Sequence, residues 1–101
     1  MWYSASLLFR GSHHDRPSKE DLWLERIVLI EASDEDQART IAQSLGKAGQ
    51  HQYATSSSTV EWQFAQVERL CEIEGLPEHG AELFWRFLRQ SEVESLLTPF
   101  D

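Results

Sequence analysis

A strand–strand–helix pattern occurs twice along this chain of 101 residues, and it limits the fold more than any other feature of the sequence. Six segments carry the pattern: strands over Met1–Phe9 and Leu22–Ala32, a helix over Asp34–Leu45, strands over His51–Ser56 and Thr59–Ile73, and a helical segment over Ala81–Leu97. This order predicts a single α+β domain over residues 1–101, with an antiparallel four-stranded sheet and helices on one face.

The distribution of apolar residues indicates where each strand lies in the sheet. The run Ile27–Ile30 is apolar on both faces, which is typical of a strand covered on both sides. The segment His51–Ser56 is polar apart from Tyr53 and Ala54 and predicts a short edge strand. The strand order stays open, with the second and fourth strands expected nearest the centre.

The fourth strand contains two apolar groups of opposite parity: Val60, Trp62 and Phe64, then Val67, Cys71 and Ile73. In a regular strand, residues of opposite parity point to opposite faces of the sheet. A one-residue bulge near Ala65 and Gln66 would bring both groups to one face.

Capping residues mark the helix ends. Ser33 stands where an N-cap belongs, with Asp36 almost at capping-box spacing, and Gly46 stands where a C′ glycine would end the helix. In the last segment, Ser91 resembles a fresh N-cap that would begin a second short helix.

The composition limits the classes of function. Seventeen acidic residues against nine basic residues give a net charge of −8, which would repel a phosphate backbone and argues against nucleic-acid binding. No apolar run approaches the ~20 residues that span a bilayer, and no secretory signal is recognised. We therefore expect a cytoplasmic protein that binds no membrane, and the single Cys71 fits a reducing compartment.

Residues with catalytic or metal-binding chemistry form no convincing group in the sequence. His13, His14 and Asp15 combine metal-ligand types, but a tetrahedral site needs further ligands held in place, and His51 and His79 are isolated. Four carboxylates occupy polar positions of the fourth strand: Glu61, Glu68, Glu72 and Glu74. We predict no catalytic residue, no bound metal and no cofactor.

The last segment supplies the candidate binding residues. Phe84, Phe87 and Leu88 recur at helical spacing and predict a core stripe, so Trp85 is expected to point away from it. Trp85 with Arg86 and Arg89 has the composition of an interface anchor. These three residues, Trp85, Arg86 and Arg89, are the predicted partner-binding site.

Two stretches of the sequence resemble the signature stretches of a small bacterial family, the domain of unknown function 4288. They are Trp2–Phe9 and Glu82–Leu88. The resemblance covers most of the chain and rests on hydrophobic motifs, which specify a fold better than an activity. It implies a compact bacterial cytoplasmic protein and supplies no catalytic residues.

Three functions are compatible with these observations. The first is a non-catalytic protein-interaction module that meets a protein partner or associates with itself, including as a homodimer. The second is a toxin-neutralising immunity protein, whose acidity would complement a basic toxin surface. The third is an enzyme whose site is assembled from Glu and His residues distant in sequence.

Overall fold

A computed structural model of the protein describes residues 1–13, 22–54 and 59–98, with six elements in chain order. They are β1 (Trp2–His13), β2 (Leu22–Glu31), α1 (Glu35–Ala48), β3 (His51–Ala54), β4 (Thr59–Ile73) and α2 (Gln90–Leu97). The strands form one antiparallel sheet. The predicted α+β class and the order strand-strand-helix-strand-strand-helix are confirmed.

The sheet has the strand order β2-β1-β4-β3. The expectation that the second strand is central is therefore wrong, whereas the central place of β4 and the edge place of β3 are confirmed. The apolar run in β2 therefore does not reflect a central position in the sheet. Val28 and Ile30 contribute to the core under α1, while Ile27 and Leu29 lie on the other face and stay about half exposed. Apolar residues on both faces do not require a neighbour at both edges.

The core lies between the sheet and α1. Four alternating residues of β1 are almost fully buried there: Tyr3, Ala5, Leu7 and Phe9. The helix contributes small residues, Ala38 and Ala42, which let it lie close to the strands. Burial raises the pKa of the Tyr3 hydroxyl above its usual value, and three nearby carboxylates add to this effect: Glu72, Asp34 and Glu35.

Two register shifts interrupt the pairing of β1 with β4. Phe9 pairs with Phe64 and Leu8 with Gln66, so Ala65 is the extra residue, and the predicted bulge is confirmed. A second extra residue, Glu68, follows. Because of this second shift, Cys71 and Ile73 lie opposite Ser4 and Trp2, on the face away from α1. The expectation that Cys71 and Ile73 share the face of Phe64 is wrong.

The ends of α1 differ from the sequence prediction. The N-cap is Asp34 rather than Ser33, because Asp34 Oδ1 accepts a hydrogen bond of 2.8 Å from the backbone N–H of Gln37. Ser33 precedes the cap and donates its backbone N–H to Gln37 Oε1 at 2.6 Å. At the other end, the helix continues through Gly46 and is capped at Gly49.

Gly46 has a packing role instead of a capping role. A Cβ atom at this position would lie 2.4 Å from Cε1 of Phe64, far inside van der Waals contact. The missing side chain therefore lets α1 approach β4 directly.

The predicted final helix over Ala81–Leu97 is correct only from Gln90 onward. The segment 81–89 contains no helix, and Gly75 and Gly80 before it adopt positive φ angles of 75° and 84°. The N-cap of α2 is Arg89 rather than the predicted Ser91, which lies inside the helix; the backbone N–H of Arg89 donates to Glu92 Oε1 at 3.1 Å. α1 packs on the sheet, whereas α2 contacts none of the other described helices and strands.

The capping geometry predicts that Asp34→Ala lowers the free energy of unfolding by ~1 kcal/mol, because a first-turn N–H loses its acceptor. Ser33→Ala is the matched control and should cost less, since Ser33 caps no backbone group of α1. Urea unfolding measures both changes through the midpoint at unchanged slope. A larger cost for Ser33→Ala would contradict this assignment of the cap.

The contact of Gly46 with Phe64 predicts that Gly46→Ala is destabilising. Overpacking costs ~1–3 kcal/mol, which outweighs the ~1 kcal/mol that alanine gains in helix propensity. Ser44→Ala, at an exposed position of the same helix, should be neutral or stabilising. Equal stability of the two variants in urea unfolding would show that α1 does not lie this close to Phe64.

Candidate interaction surface

The segment after β4, residues 74–89, lies on the sheet face opposite α1; we call it the C-terminal arm. Ser4 Oγ of β1 donates a hydrogen bond to the carbonyl oxygen of Leu83. Arg69 Nη1 of β4 donates to the carbonyl oxygen of Trp85 at 3.1 Å. Because these donors lie on the two central strands, the arm is tied by its backbone to the middle of the sheet.

The β1 residues under the arm are small and polar. Ser4 and Ser6 are buried, with 4% and 6% of their surface exposed. Both hydroxyls have partners, because Ser4 Oγ donates to the Leu83 carbonyl oxygen and Ser6 Oγ donates to Glu25 Oε2 at 2.5 Å. A buried hydroxyl without a partner would cost ~1–3 kcal/mol. Short side chains with satisfied hydroxyls therefore let the arm lie close to β1.

Phe84 is the side chain that anchors the arm. It is partly buried and, together with Ser4, Ser6, Ile27 and Arg69, lines a small cavity between the arm and the sheet. The guanidinium carbon of Arg69 lies 4.4 Å from the centre of the Phe84 ring, a cation–π contact. Arg69 thus holds the arm twice, through the Trp85 carbonyl group and through the ring of Phe84.

The predicted partner-binding residues are exposed. Trp85 is 64% exposed and Phe87 is 90% exposed, and their rings meet edge to face with 5.4 Å between centres. Arg86 lies between them, and Arg89 caps α2. The predicted exposure of Trp85 is confirmed, but the expectation that Phe87 and Leu88 belong to the core is wrong, since Leu88 is exposed as well. In a non-helical arm, Phe84 and Phe87 do not share a face.

No ion pair within the described residues engages Arg86 or Arg89. The guanidinium of Arg86 lies 5.9 Å from the Phe84 ring centre. The structure therefore places Trp85, Arg86 and Arg89 along one exposed stretch, together with Phe87, which the sequence did not assign to it.

A second exposed apolar group lies on β2 and was missed from the sequence. Trp23, Ile27 and Leu29 alternate along the face away from α1, each about half exposed. Glu25 and Glu31 share that face. Apolar residues mixed with carboxylates along one face of a strand are typical of a face that is only partly covered. This pattern at positions 23, 25, 27, 29 and 31 is the sequence signal that could have identified the exposed apolar group.

An acidic cleft of about 380 Å³ borders Trp85. Its lining comes from the end of β4 and from the arm: Cys71, Glu72, Glu74, Glu82, Leu83, Phe84 and Trp85.

Within residues 1–13, 22–54 and 59–98, no three His, Cys, Asp or Glu side chains are placed to hold a metal ion. The sequence group His13–Asp15, which was not predicted to bind metal, has its side chains outside the described residues.

Together, the curled antiparallel sheet, the single packed helix and the tethered arm define a small α+β domain. The chain matches, over residues 2–85, the family described as Domain of unknown function (DUF4288), and it belongs to that family. The match ends at Trp85, so Arg86, Arg89 and α2 follow it. Neither a curated protein nor a solved structure matches the chain. Neither described helix is long and apolar enough to span a bilayer.

The anchoring contacts predict that Phe84→Ala releases the arm. The free energy of unfolding should fall by about 2 kcal/mol, less than the ~3–5 kcal/mol of a fully buried Phe, because Phe84 is only partly buried. Limited trypsin digestion should also cleave faster after Arg86 and Arg89. Phe87→Ala is the matched control, and as an exposed residue it should change stability by less than ~0.5 kcal/mol. Equal effects of the two substitutions would contradict the anchoring role of Phe84.

Proposed function

We propose that the chain is a non-catalytic protein-interaction module of the bacterial cytoplasm, with Trp85, Arg86 and Arg89 as its contact surface. One form of this association is a homodimer. The observation that carries the proposal is the exposed pair of Trp85 and Phe87 on an arm whose backbone is bonded to the sheet. Aromatic residues and Arg are enriched in the central part of protein interfaces.

The tethering of the arm supports this use of its exposed rings. Binding costs entropy when loops and side chains must be ordered, at ~0.5–1.5 kcal/mol for each immobilised flexible side chain. Here the carbonyl groups on either side of Phe84 already accept hydrogen bonds from Ser4 and Arg69. Trp85 is therefore held near its position before a partner arrives, and less of the binding energy is lost to ordering.

The acidic cleft favours one alternative, a toxin-neutralising immunity protein. Glu72, Glu74 and Glu82 border Trp85, and the chain carries a net charge of −8. Complementary charge accelerates and selects association with a basic partner. An immunity gene is expected directly downstream of a toxin gene, so the gene neighbourhood separates this alternative from a general interaction module.

A dispersed Glu/His enzyme site receives less support from the described residues. General acid–base chemistry needs groups whose environments separate their pKa values. The cleft collects carboxylates and the Cys71 thiol, while neither His51 nor His79 lines it. We therefore place this alternative last.

The proposed surface predicts that Trp85→Ala weakens association by ~2 kcal/mol or more while the fold is retained. Leu76→Ala, exposed and on the same arm, is the control and should bind as the wild type does. Sedimentation equilibrium measures self-association, and titration against a captured partner measures hetero-association. Unchanged association of Trp85→Ala with both a second copy and the captured partner, or loss of its circular dichroism signal, would reject the assignment.

A further inference from the structure

The outer edge of β2 is an open strand edge. β2 pairs with β1 through an uninterrupted register from Gly11↔Leu22 to Trp2↔Glu31, and none of the strands within residues 1–13, 22–54 and 59–98 lies on its other side. Within the described part of the chain, no further backbone hydrogen bond reaches residues 22–31. Its outward N–H and C=O groups are thus available to another strand.

β2 lacks most of the features that protect edge strands. Protected edges are short, or carry Pro, bulges or charges. β3, the other edge, has 4 residues, whereas β2 has 10, with neither Pro nor a register shift. Its large exposed apolar residues are Leu22, Trp23, Ile27 and Leu29. Such an edge suits pairing with another strand.

We propose that β2 pairs antiparallel with β2 of a second copy of the chain, about a two-fold axis at Ile27. The two four-stranded sheets would then form one continuous sheet with both α1 helices on the same side. This dimer deepens the proposed function, because it names a second copy of the chain as a partner. It rests on the proposed function only for the premise that the chain associates with another protein chain. It uses a surface separate from Trp85.

The charges of β2 select this register. Like charges directly opposite one another destabilise a strand pair. An axis at Arg26 would set Arg26 against itself, an axis at Glu25 would set Glu25 against itself, and an axis at Val28 would set Glu25 against Glu31. An axis at Ile27 avoids all three oppositions and keeps the whole stretch from Trp23 to Glu31 paired.

In the Ile27 register, Ile27 faces itself and Leu29 faces Glu25, while Arg26 faces Val28. Axes at Leu24 or Leu29 also avoid opposed charges, but they pair only about half as many residues. The guanidinium of Arg26 leans inward over the ring of Phe9, 4.9 Å from its centre, and so away from the axis. Pairing from Trp23 to Glu31 would supply about nine hydrogen bonds, within the ~10 ± 5 of a typical interface.

Cysteine cross-linking tests the register in the full chain with Cys71→Ser as background. Ile27→Cys should form a disulfide-linked dimer, because directly opposite residues meet the ~4.4–6.8 Å Cα separation that disulfides require. Leu29→Cys is the matched control on the same strand and face. Its two copies would lie roughly 13 Å apart along the strands, too far to link. Equal cross-linking at both positions, or none at Ile27→Cys, would overturn the register.

A charge placed at the axis tests the dimer itself. Ile27→Lys opposes two ammonium groups and should lower the self-association constant by roughly tenfold or more, while Tyr53→Lys on β3 should leave it unchanged. Sedimentation equilibrium of the wild-type chain should show the dimer; a monomer at all concentrations would overturn the proposal. Dissociation by Ile27→Lys but not by Trp85→Ala supports the β2 edge and rejects the arm as the self-association surface. The reverse result rejects the edge and leaves the proposed function standing.

Discussion

The structure depends on β1, which is hydrogen-bonded along both edges and covered on both faces. Its odd-numbered residues from Tyr3 to Phe9 form the core under α1, and their burial fixes the register of the sheet. Its even-numbered Ser4 and Ser6 are buried on the other face. Both hydroxyls need hydrogen-bond partners there. The Leu83 carbonyl group of the arm and the Glu25 carboxylate supply them, so the face away from α1 depends on these contacts as the core face depends on the helix.

The exposed surface follows from that arrangement. Ser4 and Arg69 bond to carbonyl groups of the arm, which keeps the segment between Gly80 and Arg89 out of a helix. Only Phe84 is then anchored in the sheet, so Trp85 and Phe87 are left exposed. On the same face, the arm covers β1 but leaves Ile27 and Leu29 of β2 half exposed. The two candidate association surfaces thus have a common origin in the partial cover of the second face.

The sequence predicted local features well and long-range ones poorly. Alternation and capping residues placed the strands, α1 and the bulge at Ala65 to within a few residues, because each depends on neighbours in the chain. The edge position of β2 depends on pairing between distant segments, which the run Ile27–Ile30 does not encode. The arm was predicted helical because the spacing of Phe84 and Phe87 suits a helix, while its tertiary bonds to Ser4 and Arg69 favour another conformation. Exposure of Trp85 was predicted, although the helical stripe that led to the prediction is absent.

The central claim is that the arm crosses the sheet without helical structure and is anchored at Phe84. Nuclear magnetic resonance of the full chain tests it directly, through Cα chemical shifts and proton contacts over residues 81–89. We expect non-helical shifts up to Arg89, helical shifts from Gln90, and contacts between the Phe84 ring and the Arg69 side chain. Helical shifts that run continuously from Ala81, without a contact between Phe84 and Arg69, would contradict the account.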